Sequence, residues 1–256
     1  MLQVHCVQLF YNVSDPGTED ILYEVRSVGR FTGIRLRKVA DKTTIPNFRH
    51  LLERHGLGKV LLETMKEHLA EQGLKLREGT ILDVSIIAAP SSTKNRSGER
   101  DAEIERTRKG KQWRCGMKLH VDVDDQTGLA HSLVTTAANV HDLRPAEQLL
   151  HGEEVGPGLM QGIRGSRGAK AVRVVRWAGT VPWEQCQGEK LAGDSLERLM
   201  EQCKSSVRAK VEHVFFYVKQ MFDYCKTCYR GLAKNANRLA LLPGFTNLLR
   251  SQSCRV

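Results

Sequence analysis

At Gly79 the spacing of apolar residues changes from three-to-four to two, and this change constrains the fold more than any other feature of the chain. Before it, Glu19-Asp-Ile-Leu-Tyr-Glu-Val-Arg26 and Ile45-Pro-Asn-Phe-Arg-His-Leu-Leu-Glu-Arg54 repeat apolar residues at the helical interval. A third helix is predicted over 57–72, with Leu61, Leu62, Met65 and Leu69 on one face. Thr43 or Thr44 can cap the second helix, with Pro46 in its first turn. After Gly79, Thr80-Ile-Leu-Asp-Val-Ser-Ile-Ile87 is a β-branched run and Cys115-Gly-Met-Lys-Leu-His-Val-Asp-Val123 alternates apolar and polar. The turn Asp124-Asp-Gln-Thr-Gly128 joins that run to Ala130–Thr136, so these two strands are predicted to form a hairpin. A helix is predicted over 142–150. The longest helical pattern covers 195–222, where Leu196, Leu199, Met200, Cys203, Val207, Val211, Val214, Phe215 and Val218 make a buried stripe. The fold class is α/β, with a helical part ahead of a sheet-bearing one.

Charge narrows the partners. A net charge of +10 and a pI near 9.4 favour a polyanion, because each phosphate neutralised by Lys or Arg releases counterions. Cations gather in Arg26-x3-Arg30-x4-Arg35-Leu-Arg37-Lys38, and in the connection after the first strand at Lys94, Arg106, Arg108, Lys109 and Lys111. Read by itself, such a run is equally a solvated face. The seven cysteines are odd in number and scattered, unlike a secreted disulfide framework. Cys225-Lys-Thr-Cys228 has zinc-knuckle spacing but lacks the second pair that a four-ligand site needs. No run approaches the roughly 18 apolar residues of a membrane span, and no signal-peptide pattern opens the chain, so a membrane partner is excluded and a cytoplasmic protein expected.

Two carboxylates carry the candidate chemistry. Asp83 closes the strand-like Gly79-Thr-Ile-Leu-Asp83, and Glu212 sits in Arg208-x3-Glu212-x6-Lys219 on the long helical pattern. On a regular helix Arg208, Glu212 and Lys219 share roughly one face, which lets cations that hold a DNA backbone flank a carboxylate that holds a metal. Alone, Arg208 and Glu212 would read as an ordinary surface ion pair.

These pieces, with Ala89-Pro-Ser-Ser-Thr-Lys-Asn95, Thr136-Ala-Ala-Asn-Val-His-Asp142 and Arg208-Ala-Lys-Val-Glu-His213, resemble the DDE transposases of bacterial insertion sequences, in the IS-five-like group. The resemblance covers residues 1–155 and about 190–245, including Ser14-Asp-Pro and Thr43-Thr44-x-x-Asn47-Phe48-Arg49. It implies an RNase H-like mixed sheet with flanking helices, preceded by a small helical N-terminal domain. The implied division is 1–75 for DNA binding, 76–245 for the catalytic domain and 246–256 as a tail. It further implies that Asp83 and Glu212 are catalytic and bind Mg2+ or Mn2+, and that Arg208, Lys219, Lys94, Arg108, Lys109 and Lys111 contact DNA. The implied partners are the terminal inverted repeats and target DNA, with further copies of the chain. Arg208, Glu212 and Lys219 match the family's Y-x2-R-x3-E-x6-K signature, and Ser205 stands where that signature has Tyr.

The second Asp of the triad is where the chain departs from the family. A strand ending in DAGYQG is expected after Glu154, yet no Asp or Glu occurs between Val155 and Val181. Leu159–Gly165 can be encoded by CTG ATG CAG GGT ATC AGG GGT, which read from its third base gives DAGYQG. With synonymous codons chosen likewise, Trp177–Trp183 gives GWHGAM at the same offset, close to a family segment that precedes the Glu helix. The expectation is an internally frameshifted, degenerate copy, irregular over about 156–190 and lacking strand transfer. Asp122 and Asp142 are the nearest substitutes for the missing carboxylate, although Asp142 is also placed to cap a helix. The competing expectations are a non-catalytic DNA-binding protein at element ends and an RNase H-like nuclease outside transposition.

Overall fold

Among the described residues, five helices precede a four-stranded antiparallel sheet, and two more helical segments return to cover one face of it. The computed structural model describes residues 1–34, 40–74, 80–90, 98–109, 111–124, 127–142, 144–145, 149 and 209–253. The segment 156–190, most of the helix expected over 142–150 and the first part, 195–208, of the helix expected over 195–222 lie outside the described residues.

The N-terminal helices are α1 (Leu2–Phe10), α2 (Asp15–Glu24), α3 (Arg26–Thr32), α4 (Thr44–Arg54) and α5 (Leu57–Glu71). Ser14 caps α2, its Oγ accepting from the Gly17 amide at 3.2 Å, and Pro16 occupies the first turn, where no amide donor is needed. The cap of α4 differs from the expectation. Thr43 makes no side-chain cap bond; Asp41 accepts from the Thr44 amide at 2.6 Å and from the Thr43 amide at 3.2 Å. Hydrogen bonds from Thr44 and Thr43 lower the Asp41 pKa to about 2. Val4, Val7, Leu22, Val28, Ala40 and Ile45 form a small core among these helices.

The sheet comprises β1 (Thr80–Ala88), β2 (Arg106–Lys109), β3 (Gln112–Asp124) and β4 (Ala130–Ala137). β3 is central, with β1, β2 and β4 each antiparallel to it. The expected hairpin is present: the Gly128 amide donates to Asp124 O at 2.9 Å, and the Asp124 carboxylate takes the Thr127 amide at 2.7 Å. In the sequence, β2 lies within the basic connection after the first strand. Its Arg-Thr-Arg-Lys has no apolar signal, and it becomes a strand because β3 extends far enough to pair with it.

Residues on successive positions of a strand point to opposite faces, and directly paired residues to the same one. Ile81, Asp83, Ser85 and Ile87 therefore share a face with Met117, Leu119, Val121 and Val123. That face is the main core, where these apolar side chains meet Val211, Val214, Phe215, Val218, Phe222 and Leu9. The helical pattern expected around Glu212 is a helix over 209–216 (α6), followed by a π-helical turn, Tyr217–Met221. The last helix, α7 (Leu232–Ser253), packs on α5 and β4 and includes residues 246–253 of the expected tail. Its Asn247 amide substitutes for a strand at the β4 irregularity, accepting from Ala130 N at 2.8 Å and donating to Ala130 O at 2.7 Å.

The opposite face of β3 carries Lys118, His120, Asp122 and Asp124, all buried. Burial demands partners for such groups. Lys118 Nζ reaches Val140 O at 2.6 Å and Asp142 at 2.8 Å, and His120 meets Thr136 Oγ1 at 2.9 Å.

Candidate active site

Asp83 lies mid-strand on β1, opposite Val121, and is exposed although its neighbours Ile81 and Ile87 on the same face are buried. The Val84 amide donates to Asp83 Oδ1 at 2.7 Å, which fixes one carboxylate oxygen against the strand. Two residues along the same face, Ser85 Oγ accepts from Lys219 Nζ at 2.7 Å. This bond ties the π-helical turn to β1 beside Asp83, and two strand positions are about 7 Å. Ser85 was not singled out in the sequence; a hydroxyl in a β-branched strand gives no sign of its partner.

Glu212 is exposed on α6, while Val211, Val214 and Phe215 beside it are buried against the sheet. The apolar stripe thus presses α6 onto the Asp83 face and leaves Glu212 at its solvent-facing side. Lys219 is not on a continuous α-helix with Glu212, because Tyr217–Met221 is a π-helical turn, a feature frequent at functional sites. The single-face expectation for Arg208, Glu212 and Lys219 is therefore modified by a local change of helical period. Arg208 lies outside the described residues, as does Lys94.

The edge of β1 turned away from β3 is met, among the described residues, by residues 225–227: Ala88 N donates to Cys225 O at 3.1 Å and Thr227 N to Ala88 O at 2.8 Å. Cys225 and Cys228 are exposed free thiols.

The two substitute carboxylates do not join Asp83. Asp122 directly follows Val121, the pairing partner of Asp83, and so points to the other face, where it is 2 % exposed and lies 3.9 Å from His131 Nδ1. Asp142 binds Lys118, which is on that same opposite face. Arg108 and Lys111 are exposed around the β2–β3 turn, and Lys109 pairs with Gln112.

Asp83 and Glu212 offer only oxygen, the donor that Mg2+ takes, and this ion is commonly held by one or two carboxylates together with substrate phosphate. The residues fit a hard divalent ion in that sense. Among the described residues no group of three or more His, Cys, Asp or Glu side chains is placed to hold a metal, and no helix is long and apolar enough to cross a membrane.

Comparison with known proteins bears on both parts of the chain. No solved structure matches it. Residues 1–51 match the family described as Transposase domain (DUF772), covering α1 through most of α4. Residues 74–160 match the family described as Transposase DDE domain, a stretch that holds the whole described sheet and Asp83 and ends before Glu212. Two transposase domains in tandem, the second built on the strand that presents Asp83, support a DDE transposase, a kind of protein that binds DNA, performs nuclease and strand-transfer chemistry and generally uses a divalent metal.

Proposed function

We propose that this chain descends from an IS-five-like insertion-sequence transposase with an RNase H-like catalytic domain, and that it keeps DNA binding while its catalytic centre is incomplete. The observation that carries the reading is the Lys219–Ser85 bond, which brings the Glu212-bearing segment onto the strand face that presents Asp83. In the lineage's reaction, water attacks a phosphodiester at the element end and frees a 3′-hydroxyl, which then attacks a target strand. Asp83 and Glu212 would hold Mg2+ or Mn2+. Two divalent ions held there would supply charge to stabilise the attacking and leaving oxygens of such a displacement. Lys219, held at Ser85, offers its charge to a phosphate beside the carboxylates. Arg208, Lys94, Arg108, Lys109 and Lys111 extend the cationic track, giving position without sequence choice.

The domain assignment follows the same reading: 1–75 contacts element-end DNA and 76–245 carries the catalytic fold, in a cytoplasmic protein that acts as an oligomer. The defect lies in the second Asp. The segment that should supply it has no carboxylate from Val155 to Val181, and Asp122 and Asp142 are committed to the other face. A non-catalytic DNA-binding protein is the second reading, favoured by that same geometry.

The test compares the chain as it stands with a version whose frame is restored over 156–190. Both should bind duplex DNA with affinity falling steeply in salt, by a log-log slope of roughly −0.9 per phosphate neutralised. Only the restored version should show Mg2+-dependent cleavage and strand transfer, and Asp83→Asn or Glu212→Gln in it should abolish cleavage while changing DNA affinity by less than about two-fold. Efficient transfer by the unrestored chain would overturn the defect. Cleavage retained in either variant would remove that residue from the site.

A further inference from the structure

The β2–β3 hairpin continues the Asp83 face of the sheet past the end of β1. β1 stops at Ala88, opposite Gly116, with Ala89 N donating to Cys115 O at 2.9 Å, while β3 extends back to Gln112 and pairs with β2 over Gln112–Cys115. By the alternation of β3, Trp113 and Cys115 lie on the face of Met117, Leu119 and Val121, the last of these opposite Asp83. Arg108 pairs with Trp113 and Arg106 with Cys115, which puts both arginines on that face too. Trp113 is 69 % exposed, more than any other large apolar side chain among the described residues. Arg106, Arg108, Lys111 and Arg114 are also exposed. From Arg106 to Arg114 the chain has five cations and no carboxylate.

An indole 69 % exposed on a cationic ribbon presents a large apolar face, with a polar edge, to an incoming partner. The surrounding charge calls for a polyanion. The flat ring calls for a flat apolar partner, and in nucleic acid that is the face of a base. A duplex hides its base faces inside the stack; an unpaired strand offers them. Along β3, Val121 to Trp113 is eight positions, about 27 Å from the level of Asp83 at 3.4 Å per residue. The hairpin is therefore remote from the carboxylates yet in line with them.

We propose that the β2–β3 hairpin binds single-stranded DNA flanking the duplex held at the carboxylate site, with Trp113 stacking on an unpaired base and Arg106 and Arg108 on its face, with Lys111 at the turn, taking the phosphates on either side. The inference rests on DNA as the substrate and adds an unpaired flank to it.

The experiment uses the full chain with a 20-nucleotide single strand and the corresponding 20-base-pair duplex, each titrated at several salt concentrations. Trp113→Ala should weaken single-strand binding about 10-fold and duplex binding less than two-fold, with the salt slope unchanged, because a stacking contact releases no counterions. Trp113→Phe should restore most of the lost affinity. Arg108→Ala and Lys111→Ala should each lower the single-strand salt slope by roughly 0.7. Single-strand affinity within about two-fold of the parent in Trp113→Ala, or an equal loss on both DNAs, overturns the hairpin's role. So does a ten-fold preference for RNA of the same sequence. Duplex binding that persists in these cases leaves the transposase reading standing, whereas a chain that binds neither DNA in a salt-dependent way removes both.

Discussion

His5 and Arg49 show how single residues of the N-terminal helices are fixed by their surroundings. His5 is 3 % exposed and faces the Phe48 ring edge-on; burial lowers its pKa to about 4 from 6.5. Burial does the same to His120, again to about 4. The native state therefore binds fewer protons than the unfolded chain between these values, so stability is complete above pH 6.5 and falls as pH drops toward 4. A shift of this size is worth up to ~3 kcal/mol per group. Urea midpoints measured from pH 7 to pH 4 should decline, and His5→Leu should flatten part of the decline; an unchanged slope in that variant would remove His5 from it. Arg49 binds Asp15 with two bonds, 2.6 and 3.1 Å long, while its guanidinium lies 4.9 Å from the centre of the Tyr229 ring. The Ser14-Asp-Pro and Asn47-Phe-Arg49 stretches, seen in sequence only as family-like fragments, thus meet in one ion pair. Removing one partner of a largely buried pair leaves an uncompensated charge, so Arg49→Ala should cost ~3 kcal/mol in chemical denaturation, and a loss under about 1 kcal/mol would show the pair to be incidental.

At the level of elements, the sheet depends on close approach of β1 and β3. A Cβ at Gly116 would collide with the Ile87 carbonyl oxygen, a backbone atom that cannot move without breaking the ladder. Gly116→Ala should therefore destabilise by about 2 kcal/mol or more. Gly29 in α3 gives the contrast: the nearest atom to an added Cβ is 3.9 Å away, so Gly29→Ala should be neutral or stabilise by roughly 0.5–1 kcal/mol. The two variants measured side by side check the packing: a loss at Gly116→Ala with none at Gly29→Ala is the required outcome. α7 was missed in the sequence for a physical reason. Its stretch from Leu239 to Phe245 is buried throughout and contains Pro243, so there is no amphipathic stripe to read. Its buried Asn235 instead serves the segment before it, accepting from Tyr224 Oη at 2.6 Å and donating to Tyr229 O at 2.7 Å.

Across the whole molecule, the N-terminal helices and the sheet share contacts through α7. Leu9 of α1 is in the sheet core, Gly58 N of α5 donates to Asn237 Oδ1 at 2.9 Å, and Arg238 donates to Asn12 Oδ1 at 2.6 Å while stacking 4.7 Å over the Tyr224 ring. These contacts couple the proposed DNA-binding and catalytic parts mechanically. Arg238→Ala should lower stability by ~2–4 kcal/mol, and hydrogen exchange should show α1 and β3 losing protection together. Retained protection of β3 while α1 exchanges freely would show two independent units.

The sequence by itself determined the change from helices to sheet at Gly79, the β3–β4 hairpin and the stripe that presses α6 on the core, because each is a local period set by backbone geometry. It also marked Asp83 and Glu212 and the absence of a carboxylate after Val155, since these are matters of which residues stand where. Only the tertiary structure decided that β2 is a strand, that Asp41 rather than Thr43 caps α4, and that Lys219 anchors on Ser85. It alone placed Asp122 and Asp142 on the face away from Asp83 and Trp113 on the face with it. The reason is that a side chain's face follows from strand register, and register is set by pairing between segments far apart in the chain, which no local pattern encodes.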